Sequence, residues 1–270
     1  MKDYIISISL PKIPPLRDAR YLQIAILAVY SFIAREYYGL ERPHAVAVGC
    51  VFLAVALDCI VGIAVYRKIV FPLSAVIIGL SASILIDAQY WENYLIVTAI
   101  ASLSKAFFVH QGRHYFNPTC FGVACALLFL PYSTSGIPDL FSGYLWPSVA
   151  FGLLGLLTVV YARQTVVALS WYFTFLLLAP LRAWLTGASA WFTVGPAVGS
   201  AILLFTFHMI SDPGTTPRSR RWQIVFGVSV GALDAVLRYY QVPHGQFYAL
   251  AGVGSLLPWI RDVDLPAGTR

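Results

Sequence analysis

The sequence predicts an all-α integral membrane protein of about ten transmembrane helices, and three observations carry that prediction. Of its 270 residues, 59% are hydrophobic and only 11% are charged, against about 25% charged residues in an ordinary soluble domain. Mean hydropathy is +0.75. Apolar runs recur along the whole chain, each bounded by charges, proline or glycine.

Taken in order, the segment 1–20, MKDYIISISLPKIPPLRDAR, interleaves charges and prolines where a signal peptide needs an unbroken apolar stretch. It reads as a cytoplasmic lead-in with no cleaved leader. Apolar spans follow at 21–38, 44–66, 71–87, 91–109 and 117–131, then, after a short external loop at 132–144, at 145–162, 166–185, 193–210, 221–240 and 245–260. A cytoplasmic tail, 261–270, closes the chain. Three spans, 71–87, 117–131 and 245–260, fall below the roughly 20 residues that cross about 30 Å of hydrocarbon. Tilted, broken or half-crossing helices are expected there.

The cations orient these spans. With a cytoplasmic N-terminus, fourteen Lys and Arg lie inside, among them Arg17, Arg67, Lys105, Arg113, Arg163, Arg218, Arg220, Arg221 and Arg261. Four, Arg35, Arg42, Arg182 and Arg238, lie outside. This bias favours an even number of crossings with both termini cytoplasmic. The formal charge of +6 is spread over span ends, which excludes a nucleic-acid face and makes membrane lipid the expected surroundings. Because five is odd, a five-plus-five division, 21–131 and 145–260, starts its second half on the opposite side, as inverted repeats do. The third span, LSAVIIGLSASILID, and the eighth, VGPAVGSAILLFTFHMISD, share small residues and a terminal Asp; close helix packing accounts for the small residues equally well.

Cys50, Cys59, Cys120 and Cys125 lie inside apolar spans without CxxC spacing, so they read as small buried hydrophobes and no metal site is expected. Ionisable residues at membrane depth ordinarily face a partner or a cavity. Asp58, in the second span, has no basic residue within a turn and reads either as an ion, proton or cofactor site or as a hydrogen-bonded buried carboxyl. Asp234 has Arg238 one turn later, the spacing of an ion pair. His208 precedes Asp212 by one turn and is either half of a proton relay or a packed histidine. Trp91, Tyr94, Trp146, Trp171 and Tyr172 offer stacking surfaces or form an interfacial belt. Lys105, His110, Arg113 and His114 form a basic patch suited to a phosphate or lipid headgroup. Asn117 before Pro118 and Thr119 is favoured capping chemistry, and the helix N-terminus it opens attracts anions. The breaker-rich stretch FHMISDPGTTP, with Asp212, Thr215 and Thr216, is irregular backbone of a kind tolerated at a membrane helix end only against protein, water or ligand. No P-loop, GxGxxG or nucleophile set appears.

Two stretches, GRHYFNPTCFG at 112–122 and FHMISDPGTTPRSRRWQIVFGVSVGALDAVLRYYQVPHGQFYALAGVGSLLP at 207–258, resemble the NqrB/RnfD family, the membrane components of the sodium-translocating NADH:quinone reductase and of the Rnf electron-transport complex. The shared parts are GRH-x-FNP, Asp212-Pro213, Thr215-Thr216-Pro217, the basic pair Arg220-Arg221, Arg238, Pro243-His244-Gly245 and Pro258; the third span is similar to that family's Pro-Ser helix. The resemblance implies an inverted five-plus-five, urea-transporter-like fold in the bacterial inner (cytoplasmic) membrane and a flavin-based electron-transfer role, at most as one component of an oxidoreductase complex with other membrane or redox partners. It implies cofactor-binding roles for Arg113, His114, Asn117, Pro118, Thr119, Asp212, Thr215 and Thr216. The family esterifies FMN to the last Thr of an SGAT-like motif, whereas this chain has Ser135-Gly136-Ile137-Pro138. Proline has no hydroxyl to esterify, so non-covalent FMN, riboflavin or a quinone is the expected cofactor and covalent FMN is not. Two other classes stay open: a channel or transporter for a small solute or ion, with Asp58, Asp234 and His208 as its ionisable residues, and a structural or assembly component of a larger membrane complex.

Overall fold

The computed structural model describes residues 13–36, 43–67, 69, 71–136 and 145–264. Helices dominate. In the first half they are α1 (Ala19–Glu36), α2 (His44–Ala64), α3 (Leu73–Leu85), α4 (Trp91–Phe107) and α5 (Pro118–Phe129). In the second half they are α6 (Leu145–Tyr161), α7 (Thr165–Thr186), the short α8 (Ala190–Val194) and α9 (Ser200–Leu204), α10 (Arg220–Tyr239), α11 (Gly245–Gly254) and α12 (Leu257–Val263). A 3-10 turn, Gly195–Val198, joins α8 to α9, and a π-helical turn, Phe205–Met209, prolongs α9.

Each expected apolar span contains a helix, with three differences. The eighth span is broken: Pro196 lacks an N–H to continue α8, and the two arms meet at a 52° bend. The tenth is split into α11 and α12. The fold is also not purely helical, because β1 (Ile86–Ala88) pairs antiparallel with β4 (Thr134–Gly136), and β2 (Val109–His110) with β3 (Arg113–His114). These ladders satisfy backbone groups where the helices stop.

Length divides the helices. Among the described residues, α2 and α7 are long and apolar enough to cross a membrane, and the bent pair makes a third if it counts as one span. At 1.5 Å per residue, the 13 residues of α3 and 12 of α5 reach only about 20 Å. The helices α1 and α10 are longer but carry charges that lower their hydropathy.

Packing repeats between the halves: α2 lies against α3 and α4 with α5 against α4, while α7 lies against α8 and α10 with α11 against α10. The centre is filled by Tyr30, Tyr94, Trp171, Phe175, Phe205 and Phe226, all fully buried. Trp171 donates to Thr206 Oγ1 at 2.9 Å. This corrects the expectation for two aromatic residues: Tyr94 and Trp171 are core and serve neither as a belt nor as a stacking platform. Tyr172 donates to the Ala197 carbonyl, while Trp91 is exposed; the Trp146 side chain lies outside the described residues. Large apolar side chains such as Phe52, Phe173, Leu177 and Trp184 stand exposed on the outer faces of α2 and α7.

Candidate functional site

Two distant motifs meet at one end of the helices. Here Asn117 caps α5, its side chain accepting the Cys120 N–H at 2.9 Å, with Pro118 in the first turn and Pro118 and Thr119 both buried. Its Nδ2 donates to the Met209 carbonyl at 3.1 Å and lies 3.4 Å from Asp212 Oδ2. Asp212 Oδ1 accepts the Gly214 N–H at 2.8 Å, and His114 Nε2 stands 3.7 Å from Asp212 Oδ2. The Arg113 guanidinium donates to the Pro213 carbonyl. Gly214 permits this approach: a Cβ there would lie 2.7 Å from His114 Nε2 and push that ring away.

Arg261 closes the junction. Its guanidinium donates to the carbonyls of Arg113 at 3.1 Å, His114 at 3.0 Å and Gly214 at 2.7 Å. This corrects the expectation of a tail from residue 261 onward, because Arg261 sits buried in α12. In the sequence Arg261 is no more than a positive charge after Pro258, since its acceptors are backbone groups. Gln164, whose side-chain amide lies 3.0 Å from Thr216 Oγ1, and Gln223, which donates to the Pro217 carbonyl at 3.1 Å, carry no sequence signal either.

The electrostatics follow from this geometry. Burial pushes Arg261 down to about 10, and the neighbouring Arg113 charge acts in the same direction. Burial lowers Arg113 as well. Burial by itself would raise the Asp212 carboxyl, but the adjoining His114 and the Gly214 N–H outweigh it and hold the group below the ordinary carboxylate range.

The hydroxyls expected to touch a cofactor are spent on the turn. Thr216 Oγ1 donates to the Asp212 carbonyl at 2.9 Å and Thr215 Oγ1 approaches it at 3.4 Å, with both threonines buried. The α5 N-terminus is also approached by a carboxylate of the protein's own, Asp212 beside Asn117. These groups form a clasp between the halves; the surfaces it leaves to a ligand are the Arg113 and His114 side chains, each partly exposed.

The ionisable residues are separated from one another. Asp58 accepts from Lys105 Nζ at 2.6 Å, and Lys105 also donates to Ser74 Oγ at 2.8 Å. A partner 47 residues away thus takes the place of the missing local one. Asp234, fully buried, receives Arg238 Nε on both oxygens at 3.0 and 2.8 Å. His208 is buried with neither ring nitrogen bonded among the described residues, its ring edge-on to Tyr30 at 5.7 Å. It therefore makes no couple with Asp212, whose oxygens are directed to Gly214, Asn117 and His114. Among the described residues no group of three or more His, Cys, Asp or Glu is placed to hold a metal ion. No protein-family profile matches the chain, and comparison with curated proteins finds no match.

Proposed function

We propose that the protein is a membrane electron-transfer component, or a derivative of one, built as an inverted five-plus-five helical scaffold in the cytoplasmic membrane. In this reading it is a relative of the NqrB/RnfD family and uses FMN or riboflavin held non-covalently, or a quinone. The observation that carries the reading is the clasp. The two stretches on which the resemblance rests meet in one structure, through Asn117, Asp212, Gly214 and Arg113. The repeated packing of the two halves supports an inverted repeat, and the exposed apolar faces of α2 and α7 suit hydrocarbon. Helix direction supports the orientation: Arg17, Arg67, Lys105, Arg113, Arg163 and Arg220 gather at the clasp end, while Arg35, Arg182 and Arg238 lie at the other. The short helices then form a span together with the β-paired segments at their ends, where backbone is covered by protein.

Purification in mild detergent, a visible spectrum and mass spectrometry of what co-purifies test this reading. Flavin absorbance or an extracted quinone supports it. A protein that is colourless, stays colourless after FMN or riboflavin is added, and yields no quinone counts decisively against it.

A second reading, a channel or transporter for a small solute or ion, is favoured by one observation, the 52° break between α8 and α9. Interrupted helices place free backbone groups beside substrates in transporter folds. Solute flux into proteoliposomes that Asp58→Asn abolishes would support it, and absence of flux across a solute panel would remove it.

A further inference from the structure

A cavity of about 930 Å³ opens at the end of the molecule opposite the clasp, against the break between α8 and α9. Its wall includes Arg182, Arg238, His244, Trp191 and Phe192. The two guanidinium groups share one ring: Arg182 Cζ lies 5.0 Å and Arg238 Cζ 5.2 Å from the centroid of Phe175. One carboxylate serves both, and it is already committed. Asp234 accepts Arg238 Nε on both oxygens, and Arg238 Nη2 donates to Gln246 Oε1 at 2.8 Å.

Arg182 is left with the Thr193 carbonyl, which accepts from Nη2 at 3.3 Å. Its Nε and Nη1 have no partner among the described residues, although the residue is only 7% exposed. A buried guanidinium with two idle donors is costly, and it is kept here on the wall of an open cavity. His244 adds a further donor: its Nε2 accepts the Gly136 N–H at 3.2 Å, so the neutral ring carries its proton on Nδ1. Burial favours that neutral form. The remaining wall is apolar, with Trp191, Phe192, Val198 and Val242.

We propose that this cavity is an anion-binding site in which Arg182 receives the phosphate or carboxylate of a ligand whose apolar body lies along Trp191 and Phe192. Nη2 completes a planar fork with either idle donor, with Nε on one edge of the guanidinium or with Nη1 on the other, so an oxyanion that takes Nη2 from its long contact with the Thr193 carbonyl is held by two parallel bonds. The site does not rest on the electron-transfer reading. A soluble organic phosphate and the headgroup of an anionic phospholipid present the same chemistry, and experiment separates them.

The test is the thermal midpoint of the full-length protein in mild detergent, titrated with inorganic phosphate at constant ionic strength, and separately with phosphatidylglycerol or phosphatidylcholine. Wild type is expected to show a saturable rise with phosphate, with phosphatidylglycerol, or with both, and none with phosphatidylcholine. A response to phosphate assigns the site to a soluble ligand; a response to phosphatidylglycerol alone assigns it to lipid. Arg182→Gln is expected to weaken the apparent affinity by about tenfold or more. Should that variant fail to fold, Val198→Trp, which fills the cavity from its exposed side, is expected to abolish the same rise. No saturable response in wild type, or an undiminished one in the variants, overturns the proposal.

Discussion

The two halves each carry a buried-side ion pair whose cation stands near the C-terminal end of the helix, Lys105 on α4 and Arg238 on α10. The Lys105 cluster is balanced: one cation, the Asp58 carboxylate and the Ser74 hydroxyl join three helices, with the Lys and Asp side chains 16% and 20% exposed. The Arg238 cluster is unbalanced, because Asp234, with no exposure, pairs with Arg238 while a second cation, Arg182, lies over the same Phe175 ring. The first cluster is neutral within itself and joins its helices. The second has charge left over beside a cavity, and that surplus separates a structural pair from a candidate binding site.

The largest expected effect is at Asp234. Replacing it by Asn leaves the buried Arg182 and the partly exposed Arg238 without a carboxylate, and breaking a buried pair costs about 3–5 kcal/mol. Little folded protein should survive extraction, read as the monodisperse fraction after mild solubilisation. If surplus positive charge is the cause, adding Arg182→Gln to Asp234→Asn should restore part of that fraction; no recovery would contradict the unbalanced description.

Next comes Arg261, at the other end. Arg261→Lys cannot fork to three carbonyls, and hydrogen bonds from charged groups are worth about 1.5–3 kcal/mol, so a lower denaturation midpoint is expected. An unchanged midpoint would show that the clasp holds without this guanidinium.

A smaller effect is expected for Asp58→Asn. Its pair is partly solvated, so the loss is about 1 kcal/mol or somewhat more, measured in the same denaturation assay. A cost equal to that of Asp234→Asn would erase the contrast between the clusters.

The smallest effect is a pH response at the cavity. His244 is held below its ordinary value, first by burial and then by the Arg238 charge. Between that lowered value and about 6.5 the unfolded chain binds more protons than the folded one, so stability rises with pH there. The midpoint should therefore fall as pH drops below about 6.5, and His244→Gln should flatten that part of the profile. A wild-type midpoint that does not move across this acidic range would contradict the half-buried neutral ring.

Much of the helical layout was legible in the chain. The span 71–87 contains Leu73–Leu85, and 221–240 contains most of Arg220–Tyr239, because prolines, glycines and flanking charges act on adjacent residues. The capping role of Asn117 was legible for the same reason. The Asp58 partner was not, being 47 residues away, and neither was Arg261, whose Arg113 acceptor lies 148 residues away and is a carbonyl that any residue could supply. The candidate site was visible as two motifs, but not as a clasp whose threonine hydroxyls are consumed within the turn.

Hydropathy, caps and breakers are local properties of neighbouring residues, and they place most of this chain's helices, but not the break inside the eighth span or the split of the tenth. Apart from the Asp234–Arg238 pair one turn apart, which charge neutralises which, that Trp171 fills the core, and that Arg182 keeps idle donors on a cavity wall were settled only when the helices packed. Those outcomes depend on which helix faces come within hydrogen-bonding reach of one another, and no local rule contains that information.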